Sequence, residues 1–269
     1  MPKVNEIVAY FESLIPPEMK MDFDNVGLLV GSLETEVDTA VVALDITEEV
    51  IEEAVHNGAQ IILSHHPLFF ELKQINDSSP TGKKILKLLH NNISVFCQHT
   101  NLDRVYQGVN DALASKLSVS VEGCLESYRT TDGTECGMGR YGSLESPLSL
   151  PVFLKFVESS LNTTGIRYYD AGKQVEKLAL CGGSGGEFVN RAYELACDTL
   201  VTADVKYHQF LEAKELGVNI LDAGHFCTEN VVVPVLADTL KKKFPAINVL
   251  ISKALQQPVK FYKGKCGNK

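Results

Sequence analysis

No apolar run in this 269-residue chain approaches the roughly 18 residues needed to cross a bilayer, which excludes a spanning helix. The first twenty residues hold no uninterrupted apolar stretch of signal-peptide length either, because Glu6 and Glu12 break it. No block of five or more lysines and arginines occurs and the net charge is −9, so a nucleic-acid surface is disfavoured. The short KKK run at 241–243 reads as a solvated helix end. The seven cysteines form no C-x-x-C pair, and an odd count fits reduced thiols better than a disulfide framework. The expected compartment is therefore the cytoplasm. Also missing are a G-x-G-x-x-G fingerprint, a P-loop and the G-x-S-x-G elbow of serine hydrolases.

What is present is ordinary in composition and patterned in order. Apolar residues make up 45% and charged residues 22%, the proportions of a soluble globular protein with one large domain or two smaller ones. The spacing predicts a helix over about 4–14, a strand at "GLLVG" (27–31), and a buried strand in "TAVVALDIT" that ends in Asp45 and a helix-capping Thr47. "EEVIEEAVHNG" reads as a helix, "AQIILSHH" as a strand, "TGKKILKLLHNN" as a helix and "ISVFCQHTNLD" as a strand with a polar tail. The second half repeats this order. "EKLALCGGSGG" is a strand with a glycine turn, "EFVNRAYELAC" a helix, and "DTLVTADVKYH" a strand with an Asp-His tail. "HQFLEAKELG" is a helix, and "VNILDAGHFCTE" a strand with a His-Glu tail. Between the halves, 121–150 is rich in Gly, Ser and Thr and reads as a crossing, with "GMGRYGSL" an isolated strand. A disordered end is expected only over the last residues, "KGKCGNK".

Buried strands alternating with helices imply parallel sheets built by right-handed crossovers. The expected fold class is α/β, with two related α/β lobes of mainly parallel sheets flanked by helices. Residues 1–121 together with 222–269 form the first lobe, and 122–221 the second. In such sheets ligand sites gather at the strand carboxyl ends. The polar tails His65-His66, Asp103, Asp204-His208 and His225-Glu229 all follow predicted strands, so one cleft between the lobes can collect them.

Not every histidine belongs there. His56 and His90 fit helix C-termini, where an imidazole meets the negative end of the dipole. His65 and His66 leave a strand end as the chain turns at Pro67. Neighbours on an extended segment point opposite ways, so two metal ions taking one imidazole each suits them better than one ion taking both. Together with Asp103, His225 and Glu229 they offer three imidazoles and two carboxylates. That mixed set suits Zn, Mn, Fe, Co or Ni and matches Ca or Mg poorly. Two such ions carry more positive charge than two carboxylates remove, which favours an anionic substrate and lowers the pKa of a bridging water. Glu229 has the chemistry of a bridge. Cys227, between two of these residues, reads as a small buried hydrophobe. "CGGSGG" is either a tight strand-to-helix turn or a place for an anion near a helix amino end.

The ordered series "DNVGLLVG", "ALDIT", "SHHPLFF", "HTNLD", "CGGSGG", "TADVKYH" and "GHFCTE" resembles the NGG-one-interacting-factor-three-like family, also known as GTP cyclohydrolase I type 2 homologues, from about residue 24 to 230. The resemblance implies a two-domain α/β fold, a dinuclear divalent-metal site and a hexameric ring whose sites face an internal cavity. It makes His65, His66, Asp103, His225 and Glu229 the ligands, with Glu229 bridging, and places the chain with members that lack an inserted domain. Many relatives carry Trp before the "DN" of the first motif, where this chain has Phe23 and no tryptophan anywhere.

Around the ligands, His99 is expected to orient one of them or carry a proton. Asp204 and His208 are expected to line the cleft without binding metal. Asp45 either holds a ligand imidazole or caps a helix. The catalytic candidates are thus Glu229, His99 and His208. Two functions fit: a metal-dependent hydrolase with two divalent ions, acting on a small molecule, an anionic one being favoured, that no motif identifies as guanine or a triphosphate, or a non-catalytic metal-binding scaffold acting through protein partners.

Overall fold

The computed structural model describes residues 1–129 and 135–262. Helix α1 (Val4–Leu14) buries Val4, Ile7, Val8 and Phe11, the spacing that sets four apolar side chains on one face. After β1 (Gly27–Val30) come β2 (Thr39–Ala43), α2 (Glu48–His56), β3 (Ile61–Ser64), α3 (Pro80–His90) and β4 (Ser94–Cys97). Every residue of β2, β3 and β4 is buried, as in parallel strands covered on both faces. The side chains of Thr47 and Ser79 accept from Val50 N–H and Gly82 N–H and so start α2 and α3. His56 and His90 are the last residues of those helices, as their positions before Gly58 and Asn91 suggest.

Two short helices, α4 (Thr100–Arg104) and α5 (Val109–Lys116), lead to β5 (Ser120–Gly123), β6 (Glu126–Arg129), β7 (Glu135–Met138), β8 (Arg140–Leu148), α6 (Leu150–Leu161) and β9 (Arg167–Tyr169). The second alternating run is β10 (Val175–Ser184), α7 (Val189–Glu194), β11 (Thr199–Ala203), α8 (Tyr207–Leu216) and β12 (Asn219–Asp222). The chain ends through α9 (His225–Glu229), α10 (Val233–Lys243) and β13 (Asn248–Ile251). Lys241–Lys243 are the exposed last turn of α10.

One sheet has the order β1-β4-β3-β2-β13, parallel except for β1. β6 and β7 pair antiparallel in a two-stranded sheet of their own, and a second large sheet has the order β5-β8-β10-β11-β12-β9. Only β10, β11 and β12 are mutually parallel in it, and β5, β8 and β9 join antiparallel. The repeated strand–helix–strand–helix–strand order is thus present in both large sheets, but the expectation of mainly parallel strands holds for the first sheet alone. The reason is β8. Its sequence is half-exposed and glycine-containing, so it reads as part of a crossing, yet it pairs along β10 inside the sheet. β5 begins at Ser120 and β12 ends at Asp222, so the second sheet takes in both junctions drawn at 121 and 222. Residues 130–134 of that crossing and the tail 263–269 lie outside the described residues.

Among the described residues one guanidinium is fully buried, and it links the second sheet to the first part of the chain. Arg140, at the start of β8, donates to both carboxylate oxygens of Asp111 on α5 at 2.8 and 2.9 Å. Its other donors reach the carbonyls of Val105, Gly137 and Gly139. A guanidinium tolerates burial on these terms because every charge and donor is matched.

Candidate metal centre

The parallel strands set their carboxyl ends along one edge of each sheet, and the candidate side chains leave from those ends. β3 stops at Ser64, so His65 and His66 lie just past the region where side chains alternate. Their rings sit 5.0 Å apart and both turn toward Glu229, which corrects the expectation that they point opposite ways. His65 is fully buried and its Nδ1 donates to the Gln98 carbonyl at 2.9 Å, leaving Nε2 turned inward. His66 Nδ1 donates to Asp45 at 2.6 Å, and its Nε2 lies 2.9 Å from Glu229 Oε2. Asp45 therefore holds an imidazole, while Thr47 alone caps α2.

Asp103, His225 and Glu229 do not sit in strand tails. They ride on α4 and α9, five-residue helices too short for a periodic signal. The two turns are built alike: β4 is followed by His99-x-x-x-Asp103, and β12 by His225-x-x-x-Glu229. In each, an aspartate takes the Nδ1 proton of the histidine. Asp204 does this for His225 at 2.6 Å, and Asp24 for His99 at 2.8 Å. Such outer carboxylates fix the tautomer and aim Nε2 at the site. Asp204 does so from a left-handed backbone with φ of 50°, which Asp tolerates better than most residues.

The donor atoms fall into three groups whose members lie within 4.8 Å of one another: His65, Asp103 and Glu229; His66, His225 and Glu229; and His65, His66 and His99. The first two share Glu229. His65 Nε2 and Asp103 Oδ1 face each other across 3.6 Å, both buried and neither hydrogen-bonded. Two buried polar atoms without partners are costly to fold around. The gap between them has a simple interpretation. Ligand bonds of about 2.1 Å meeting at a tetrahedral angle leave donor atoms about 3.4 Å apart, so the pair fits one cation and fits no direct hydrogen bond.

Burial and charge shape the titration of the cluster. Burial raises the Asp103 carboxyl to about 6, with Glu229 pushing the same way against the opposing pull of the neighbouring imidazoles. Burial works against ionised Glu229 too, but the hydrogen bond from His225, the nearby His65 ring and the bond from His66 overcome it and hold the carboxyl well below the usual range. On His66 burial disfavours the charge, and the bonds to Asp45 and Glu229 outweigh it and lift the pKa to about 10. His225 is lifted to about 9 against the same burial, by Glu229 and Asp204. Protons on these two rings thus sit where cations would, between imidazole nitrogens and Glu229. The donor set fits divalent metal.

Sequence reasoning missed two participants. Asp24 is buried, and its second oxygen accepts from Thr100 N–H at 3.0 Å. Burial opposes its charge, yet the His99 and Thr100 bonds hold its carboxyl far below the ordinary range. It lies 75 positions from His99, so no local spacing marks it. Gly183 in "CGGSGG" has φ of 62°, and a Cβ there would come within 2.1 Å of Glu229 Oε1. That glycine stretch is the end of β10 and a turn, packed against the Glu229 carboxylate. His208 does not converge with the others: it is exposed on α8 and belongs to none of the three groups. Cys227 is buried in the core, as a small hydrophobe.

Beside the cluster opens a cavity of about 540 Å³, bordered by His99, Asp103, His225 and Glu229. Among the described residues no helix is long and apolar enough to cross a membrane.

A family model described as Duf34/NIF3 (NGG1p interacting factor 3) matches residues 2–258 of this chain. A Clostridium perfringens protein named GTP cyclohydrolase 1 type 2 homolog is 36% identical over 262 residues, which are 96% of this chain and 99% of that protein. A Bacillus cereus protein related to NIF3 has the same fold, with a TM-score of 0.88 at 26% identity over 97% of this chain and 99% of its own. A Staphylococcus aureus protein is similar at a TM-score of 0.87 and 27% identity, with the same coverage of 97% and 99%.

Proposed function

From the premise that the chain belongs to the Duf34/NIF3 family, we propose that it holds two divalent metal ions and hydrolyses a small molecule. His65, Asp103 and Glu229 hold one ion, and His66, His225 and Glu229 the other, with Glu229 common to both. The observation that carries this reading is the pair of buried, unpartnered atoms, His65 Nε2 and Asp103 Oδ1, aimed at one another beside that glutamate. The donor set accommodates Zn, Mn, Fe, Co or Ni. Bound there, such ions supply Lewis acidity, activating water and polarising an electrophilic carbon or phosphorus.

The protein's own groups do the rest. Asp45 and Asp204 keep the Nδ1 protons of His66 and His225 fixed, so that Nε2 stays directed inward. His99 borders the cavity with Asp24 on its Nδ1, placed to carry a proton between substrate and solvent. Glu229, as the shared carboxylate, keeps the two halves of the site in register. His208, exposed on α8, is left out of this assignment. The name GTP cyclohydrolase belongs to the relatives. For this chain the reading is a metal-dependent hydrolase of unassigned substrate, in a cytoplasmic homohexamer as the family resemblance implies; light scattering giving a mass far from six chains would remove the ring.

The test has two arms. Elemental analysis of gently purified protein should find about two ions per chain, and well under one, with no rebinding, would sink the metal centre. Metal-loaded protein is then assayed on nucleotides, phosphoesters and cyclic amides beside Glu229→Gln. Turnover that the variant loses by at least a hundredfold supports catalysis. Equal trace rates for both proteins on every compound favour the scaffold alternative.

A further inference from the structure

The cavity beside the cluster has walls of unusual make-up, and they bear on what it takes. Phe23 and Phe188 border it together with Met21 and Met138. Phe23 is 65% exposed and pairs with Phe70, itself 51% exposed, at 6.1 Å between ring centroids. Phe70 in turn lies 5.8 Å from the His99 ring. Aromatic surface therefore runs from solvent to the edge of the imidazole cluster. Two large rings left together in water at a cavity mouth are unfavourable unless a flat apolar partner covers them.

Apart from the His99 and His225 imidazoles, the charged groups on the same wall are all of one sign. Glu126 and Glu187 border the cavity besides Asp103 and Glu229, and no lysine or arginine among the described residues does. Two glycine amides of the turn at the wall are already engaged. Gly182 N–H donates to Asn110 at 2.9 Å and Gly183 N–H to Thr228 at 3.0 Å, so neither amide is turned to a ligand. Polyphosphate recognition relies on free amides and guanidinium or ammonium groups, and no guanidinium or ammonium group borders this cavity among the described residues.

We propose that the cavity binds a planar heteroaromatic compound without a polyphosphate tail, its ring stacked on Phe23 and Phe188 and its N–H donors turned to Glu126 and Glu187. This rests on reading the cavity as the substrate site of the metal centre. Phe and Met walls accept any flat π-face, and ring stacking of this kind is sequence-tolerant among heterocycles. Carboxylates accept hydrogen bonds only, so they select ring N–H and amino groups and repel added negative charge. The neutral part of the ligand is thereby held by the chain, leaving one polar edge for the metal ions.

Ligand-observed NMR tests this on full-length protein, both metal-loaded and chelator-treated. The probes are purine nucleosides, pterins, pyrimidines and pyridine carboxamides, set against saturated sugar phosphates of similar size and inorganic triphosphate. Heteroaromatic compounds should bind in both states, and Phe23→Ala should weaken the best of them about tenfold. Because Phe23 is exposed, its loss leaves the fold intact; Phe188→Leu, which keeps bulk, should weaken the same compound less. Glu187→Gln should improve binding of a monophosphorylated heterocycle relative to its unphosphorylated form. Failure of every heteroaromatic probe, equal binding by the saturated set, or unchanged affinity in Phe23→Ala overturns the proposal. The metal reading fails separately, by metal content alone, and ring binding in chelator-treated protein stays readable if it does.

Discussion

Gly183 and Glu229 occupy space that only a glycine leaves free. Replacing Gly183 by alanine would drive a methyl to within 2.1 Å of the Glu229 carboxylate and strain a left-handed backbone as well. Metal affinity of Gly183→Ala, followed by competition with a colorimetric chelator, should fall by more than tenfold while the far-ultraviolet circular dichroism stays native. Asp45 and Asp204 act at one remove. Asp45→Asn should weaken metal binding by about 10- to 100-fold, the usual effect of losing a carboxylate behind a ligand imidazole. Asp204→Asn should do less, since its side chain is 55% exposed against 39% for Asp45, and water replaces it more readily. The titrations give a third expectation. His66 and His225, with pKa values near 10 and 9, carry protons at pH 7 that they must lose to ligate. Metal uptake should therefore release about two protons per chain, and affinity should climb between pH 6 and 9 by up to tenfold per proton per pH unit. Calorimetry in buffers of different ionisation enthalpy counts them; no proton release at pH 7 contradicts the assignment.

The five candidate ligands stood out at this scale because each follows a long apolar run or a helix-length gap in one repeated order. Asp24 was not, because its role exists only across 75 positions, and a lone aspartate near a turn reads as any solvated acid. The direction of the His65 and His66 rings also escaped, because alternation holds inside a strand and these residues lie beyond its end.

Among the elements, the alternating segments were readable to within two or three residues, since buried parallel strands are continuous apolar runs. The antiparallel additions were legible only in part: β1 reads as a strand in "GLLVG" and β8 overlaps the strand read as isolated in "GMGRYGSL", but its pairing with β10 does not show in sequence. The place of β8 inside the sheet is hidden by its glycine- and serine-bearing stretch, and its most informative residue, Arg140, looks in sequence like a surface cation. α4 and α9 are single turns, fixed by what they pack on: Gly183 N–H donates to Thr228 of α9, and Asn110 of α5 donates to the Asp103 carbonyl of α4. Arg140 holds α5 to β8, and so supports both. Arg140→Met removes both guanidinium bonds to Asp111, leaving it the Gln107 N–H, takes the donor from three carbonyls, and should cost about 3–5 kcal/mol in urea unfolding. Arg140→Lys, with one donor centre in place of a fork, should recover only part of it. A loss below about 1 kcal/mol in the methionine variant argues against this element-level role.

For the molecule as a whole, pH and metal should act in opposition. Without metal, His66 and His225 have folded pKa values above their unfolded value of 6.5. The stability they contribute is fully present below pH 6.5 and is lost as pH rises through about 9 to 10. The metal-free melting temperature should therefore fall across that window. Metal-loaded protein should instead gain on the chelator-treated form as pH rises toward 9, by about 2.7 kcal/mol wherever free metal is a hundred times its Kd. Differential scanning calorimetry in both states, across pH 6 to 10, distinguishes the two trends.

The candidate ligands come from two distant parts of the chain, His65 to Asp103 and His225 to Glu229, with β5 to β12 between them. On a ribosome adding 5–20 residues per second, the first three donors emerge roughly 6 to 25 s before the last two. During that interval the nascent chain displays a partial chelator with no Glu229 to close it. The order of synthesis therefore makes the centre a late clasp. The first sheet also waits for β13, whose strand pairs with β2 only after nearly the entire chain has been made.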